Sequence, residues 1–150
     1  EIGVRLVGSE MCIRDRYHPL FIKPNKDELE EMFDVTIKSD QDVVKYGREI
    51  VKNGAQSVII SLGGDGAIYV DETRSIKAQN PKGEVVNTVG SGDSTVAGMV
   101  AGLELGLSLE EAFCQAVASG TATAFNDDLA LREDIEKIKS QVTISVLDGE

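Results

Sequence analysis

Tryptophan is absent from this 150-residue chain, histidine occurs once and cysteine twice, and each shortage removes a kind of chemistry. Cys12 and Cys114 stand far apart with no CxxC spacing, so they offer neither a zinc site nor a disulfide framework. That usage points to the cytoplasm, and Cys114, inside a helical apolar pattern, is expected in the core. His18, beside Pro19, belongs to no motif and is read as incidental. Positive charge is scarce as well: 15 Lys and Arg face 26 Asp and Glu, for a net charge of -11. No basic face remains to neutralise a row of phosphates, which argues against nucleic acid or an anionic membrane as partner. A small anionic ligand held by a few local donors is still allowed. No apolar run approaches the ~18 residues of a membrane span. What remains, 41% hydrophobic and 27% charged residues, is the composition of one soluble globular domain able to bury a core.

The opening residues are set apart. Leu6 to Arg16 (LVGSEMCIRDR) has the wording of a translated transposase-end adapter, and its MCIRD core back-translates to ATG TGT ATA AGA GAC, part of that adapter's own sequence. Residues 1-16 are therefore expected to be non-native and are excluded from the fold, as a fusion scar would be. The alternative is a genuine short strand from Ile2 to Val7. Three acids and three bases cancel within this segment, so the whole negative charge belongs to Tyr17 onward.

From there strands and helices alternate. Leu20 to Ile22 reads as a short strand, and Asn25 opens a helix carrying Leu29, Met32 and Phe33 at helical spacing. Ser39 with Asp42 resembles a capping box opening a second helix that Gly54 ends. Ser57 to Leu62 is a continuous, mainly β-branched run, as a strand covered on both faces shows. Ala67 to Val70 and Ser75 to Gln79 form a hairpin, and Glu84 to Asn87 reads as a further short strand. A small-residue helix follows to about Leu105; Ser108 with Glu111 caps another through Ala118 to Thr123; Arg132 to Ser140 is the last helix and Val142 to Leu147 the last strand. This alternation predicts an α/β layered fold with a mostly parallel sheet flanked by helices.

The most informative stretch runs from Asn87 to Val100. Gly90-Ser91-Gly92 allows a tight turn into a helix, whose first amides lack intrahelical partners and carry the positive end of the dipole, which makes an anion site. Asp93 lies in that first turn, and Ala97, Gly98, Ala101 and Gly102 keep the helix slim enough for a bulky group or another helix to approach. A plain Gly-rich turn with an acidic cap accounts for the same residues. Asn25 and Glu28 have the spacing of a capping variant, which needs no ligand. Ser61 to Ala67 holds the turn Gly63-Gly64-Asp65-Gly66 after a buried strand, where ligands of open α/β sheets gather, although it lacks the G-x-G-x-x-G spacing of a dinucleotide site. That absence weighs against an NAD-type dehydrogenase.

Position by position, Asn87 to Val100 resembles the second signature of the PfkB sugar kinases, a ribokinase-like family. The resemblance extends over Tyr17 to Glu150 and implies that residues 17-150 are the C-terminal part of such a kinase domain, inactive by itself. It implies ATP and Mg2+ as cofactors and a sugar phosphate as the small-molecule partner, and the expected assembly of the complete enzyme is a dimer. By the same resemblance Asp93 is the base for the sugar hydroxyl, and the amides of Gly90, Ser91 and Gly92 stabilise the transferred phosphoryl group. Asn25 and Glu28 match the N-x-x-E motif that organises Mg2+, usually through water. Gly64, Asp65 and Gly66 line the ATP site, and the Ser119-Gly120-Thr121-Ala122-Thr123 patch with Asn126 resembles its adenine-side wall. The KPN-x-DEL wording from Lys23 to Leu29 is closer to 1-phosphofructokinases and tagatose-6-phosphate kinases than to ribokinases. It implies phosphorylation of a ketohexose phosphate, above all fructose 1-phosphate to fructose 1,6-bisphosphate, with tagatose 6-phosphate or another sugar as alternatives. A nucleotide-binding module without turnover is the alternative of another class.

Overall fold

The computed structural model describes residues 19–147. The segment expected to be foreign, with Cys12 and His18, lies outside the described residues. Removing residues 1-16 is expected to leave stability within the roughly 0.5 kcal/mol of uninvolved surface changes; a larger loss in a denaturant midpoint would show that they belong to the core.

The chain forms two compact units. In the first, residues 19–63, 67–77 and 146–147, α1 (Lys26–Phe33) begins where Asn25 Oδ1 accepts from the Glu28 amide and Glu28 Oε2 accepts from the Asn25 amide, both at 2.8 Å. The capping box read from the sequence is thus complete. α2 (Asp40–Lys52) starts at Ser39, whose Oγ accepts from the Asp42 amide at 3.3 Å. The Asp42 carboxylate takes the Lys38 amide at 2.9 Å instead of returning to Ser39, so this second box is only half formed. β1 (Ser57–Ser61) and β2 (Ala67–Asp71) pair antiparallel with Val58 opposite Val70 and Ile60 opposite Ile68. These four join Ile22, Leu29, Ile37, Val43 and Ile50 in one core. Gly47 lets α2 lie close to the strands, since a Cβ there would meet Val70 Cγ2 at 3.0 Å and Ile60 Cδ1 at 3.3 Å. The alternate residues Ile59 and Tyr69 are buried too, so both faces of this hairpin are covered as its unbroken apolar run predicts. Burial pushes the Tyr69 phenol up to about 12.

The second unit comprises residues 64–66 and 78–145. Its centre is the pair α3 (Ser91–Glu104) and α4 (Leu109–Ala124), with α5 (Arg132–Lys139) following. α4 carries a complete Ser108–Glu111 capping box. The small residues of α3 divide by face: Gly98 and Gly102 are buried, while Ala97 and Ala101 are exposed. A Cβ on Gly98 would sit 3.0 Å from Ala116 Cα, and one on Gly102 would sit 2.9 Å from Ala112 Cα, so the slim face admits a helix. Cys114 is only partly buried; burial raises its thiol pKa, and Lys139 opposes the shift.

β3 (Ser75–Gln79) and β4 (Thr143–Val146) complete a sheet ordered β1-β2-β3-β4 among the described residues. The expectation of a mostly parallel sheet is overturned. β1 runs antiparallel to β2, and the parallel pairs recorded among the described residues are the isolated bridges Ile22–Val58 and Asn25–Ser61. The reason is connection length: Leu62 to Gly66 is too short for a crossover, which takes a dozen residues or more. Leu20 to Ile22 correspondingly contributes a bridge and no strand. Glu84 to Asn87 is not a strand either. The amides of Val86 and Asn87 both donate to the Ala124 carbonyl, at 2.9 and 3.1 Å, and so satisfy the end of α4 instead of pairing with a strand.

Candidate active site

The entry to α3 is built from side chain to backbone. Asn87 Oδ1 accepts the Val89 amide at 2.9 Å, a local turn that bends the chain toward Gly90. The Ser91 amide then donates to the Thr88 carbonyl at 3.2 Å, closing a four-residue turn. Gly90 has φ 80 and ψ -7, the values of the third residue of a type II turn, which require glycine or asparagine. It also stands at the N-cap of α3 with no side-chain hydrogen bond to the helix end. α1 and α4 satisfy their first amides with reciprocal boxes, whereas this end keeps Gly92 and Asp93 amides facing outward without a side-chain cap. The Asp93 carboxylate is exposed in the same turn. A carboxylate acceptor and uncapped helix amides therefore share one turn, the pairing that a proton-accepting group beside an anion site needs. Of the three amides expected in the anion hole, that of Ser91 is already bonded to Thr88.

Gly64, Asp65 and Gly66 lie in the same unit as Asp93. Gly63–Asp65 forms a single 3-10 turn with Asp65 exposed. Gly66 has φ 95, and a Cβ on it would run into the carbonyl oxygen of Ala78, so both conformation and space exclude a side chain. Ser119 and Gly120 are buried against α3: a Cβ on Gly120 would lie 3.0 Å from the Ser91 carbonyl oxygen and against Thr95 Oγ1. Asn126 is partly buried, and its amide donates to the Ala122 carbonyl at 2.6 Å. Sequence reasoning missed that Asn87 and Thr88 shape the turn, although an Asn three residues before a glycine is a recognisable turn signal. It also missed that Thr123 Oγ1 donates to Ser94 Oγ at 2.9 Å.

Asn25 and Glu28 belong to the other unit. Their capping box occupies Asn25 Oδ1 and Glu28 Oε2. No group of three or more His, Cys, Asp or Glu side chains among the described residues could hold a metal. The cap uses Glu28 Oε2, so the second carboxylate oxygen lies outside the box and is a hard donor of the kind that Mg2+ takes through water. No helix among the described residues is long and apolar enough to cross a membrane.

Comparison with known proteins supplies the frame for this geometry. The profile of the pfkB family carbohydrate kinases matches residues 10–131, beginning inside the segment set apart above. The 1-phosphofructokinase of Bacillus subtilis is 44% identical over 140 residues, 93% of this chain and 46% of that protein. The D-tagatose-1-phosphate kinase of Bacillus licheniformis is 41% identical over 132 residues, 87% of this chain and 43% of that protein. A crystal structure from Staphylococcus aureus, provisionally assigned as a phosphofructokinase, superposes with a TM-score of 0.89 at 73% identity, covering 95% of this chain and 46% of its own. The chain thus spans a little under half the length of these relatives. The helix-flanked sheet is that of the ribokinase-like kinases. With a profile match over most of its length and these relatives, the chain belongs to the PfkB family of carbohydrate kinases.

Proposed function

We propose that the complete gene product transfers the γ-phosphoryl group of ATP to a hydroxyl of a ketohexose phosphate, fructose 1-phosphate above all, giving fructose 1,6-bisphosphate and ADP. One observation carries the reading: the exposed Asp93 carboxylate shares the first turn of α3 with helix amides that no side chain caps. Asp93 takes the proton of the acceptor hydroxyl as its oxygen attacks the γ-phosphorus, and the bond to the β–γ bridging oxygen breaks as ADP leaves. The amides of Gly90 to Gly92 meet the charge on the transferred group, that of Ser91 by exchanging the Thr88 carbonyl for a phosphate oxygen. Little covalent chemistry is demanded of the protein, because phosphoryl transfer gains its rate from placement and charge stabilisation. Gly64, Asp65 and Gly66 serve as the nucleotide ledge and Asn126 lies on its adenine side. The burial of Ser119 and Gly120 favours a supporting role for them.

Glu28 would hold Mg2+ through water with the oxygen that the cap leaves, and the ion would supply positive charge against the phosphates. Glu28→Gln keeps most of the capping geometry and removes the charge. Turnover is expected to fall and the Mg2+ dependence to shift; wild-type kinetics at every Mg2+ concentration would reduce Glu28 to a cap.

The Bacillus licheniformis relative keeps tagatose phosphates as a second substrate class. A dimer is the proposed assembly. Titration of the complete gene product with ATP and with NAD separates the reading from a dehydrogenase: ATP binding with no NAD binding is expected, and the reverse would overturn it.

A further inference from the structure

We propose that Thr123 is a positioning residue for the first turn of α3, acting through Ser94. Gly90 leaves that turn without a side-chain cap, so the side-chain hydrogen bonds that bear on its orientation lie beyond the N-cap. Two are formed. Thr95 Oγ1 donates to the Ser91 carbonyl at 2.9 Å within α3, and Thr123 Oγ1, on α4, donates to Ser94 Oγ at 2.9 Å. Thr123 is only 3% exposed, so its hydroxyl has little access to water as a substitute partner. Gly120, one turn earlier on α4, brings the two helices together at Ser91 and Thr95, where any side chain would intrude.

Ser94 follows Asp93 directly, and the two lie about 100° apart around a helix of 3.6 residues per turn. Ser94 is partly buried toward α4 while Asp93 is exposed. The Ser94 amide also closes the first intrahelical bond, donating to the Gly90 carbonyl at 2.8 Å. Anchoring Ser94 therefore fixes the rotation of the turn about its axis, and with it the direction of the Asp93 carboxylate and the neighbouring amides. The effect of Thr123 on turnover rests on Asp93 being the base; its effect on the turn does not.

The test uses the complete gene product with Thr123→Val, which removes the donor and keeps the shape, and Thr123→Ser, which keeps the donor. Amide hydrogen exchange at Ser94 is expected to quicken about tenfold in Thr123→Val, the size of one lost hydrogen bond. Its kcat is expected to fall about 10–100-fold, as for a misplacement of under an ångström, with KM for ATP and sugar phosphate nearly unchanged. Thr123→Ser is expected to match the wild type in both. Unchanged exchange in Thr123→Val, or a loss of kcat that Thr123→Ser shares, would overturn the proposal. If Thr123→Val does not fold, Ser94→Ala removes the acceptor instead: the same fall in kcat supports the proposal and a wild-type kcat overturns it. A wild-type protein without kinase turnover would sink the functional reading, while the exchange measurement would still judge the contact.

Discussion

Asp93→Asn in the complete gene product is expected to lower kcat by about 10²–10⁴-fold, the usual weight of a general base, with ATP affinity changed by no more than a few-fold. The amide keeps the shape of the carboxylate and its hydrogen-bonding reach, but it cannot take the proton of the acceptor hydroxyl. Asp93 is exposed in the first turn of α3, and no hydrogen bond among the described residues holds it there as a cap: Gly90 occupies the N-cap and the turn is closed by Ser91 and Thr88. Loss of the charge near the helix start carries a small stability cost, ~0.3–1 kcal/mol from the helix dipole, far below the kinetic effect. Kinetics and melting therefore separate the two roles. Near-normal turnover with a slightly lowered melting temperature would make Asp93 a helix-stabilising residue and nothing more.

The largest expected loss of stability comes from Gly66→Ala. Gly66 has φ 95, a conformation that L side chains rarely adopt, and its new Cβ would press on the Ala78 carbonyl, with Ala78 C at 2.9 Å and Gln79 Cα at 3.0 Å. These are backbone atoms of β3, so no rotamer change relieves the contact. Backbone strain of about 1–3 kcal/mol and overpacking of about the same size combine to a few kcal/mol. The denaturant midpoint should drop accordingly with an unchanged slope. Gly64→Ala is the control, because a Cβ there meets nothing within 4 Å and Gly64 has no positive φ. Equal midpoints for the two variants would contradict the assignment of strain to Gly66.

Helix starts were legible in the sequence wherever capping is local. Asn25 with Glu28 and Ser108 with Glu111 each satisfy amides within three residues, and both boxes form. The Gly90–Asp93 turn was legible for the same reason, since the αL residue, the uncapped helix end and the acid lie within four positions. Strand direction was not. An alternation of apolar runs and helical patterns looks the same whether neighbouring strands are joined by hairpins or by crossovers, and only pairing reveals that β1 and β2 are antiparallel. Val85 and Val86 have the residue types of a strand, yet Val86 and Asn87 give their amides to the end of α4. Nor does spacing tell which side of a small-residue helix faces a neighbour. Ser119 and Gly120 pack against Ser91, Thr95 and Gly98, an approach of two helices that composition alone does not locate.

Transfer of phosphate from ATP to a ketohexose phosphate is read most simply from product formation by the purified complete gene product. It is incubated with ATP, Mg2+ and, in parallel, fructose 1-phosphate, fructose 6-phosphate, tagatose 1-phosphate and tagatose 6-phosphate, and both ADP and the sugar bisphosphate are quantified. One bisphosphate per ADP is expected, with the highest kcat/KM for fructose 1-phosphate. ATP binding without a bisphosphate from any of the four sugars would contradict it and leave a nucleotide-binding module.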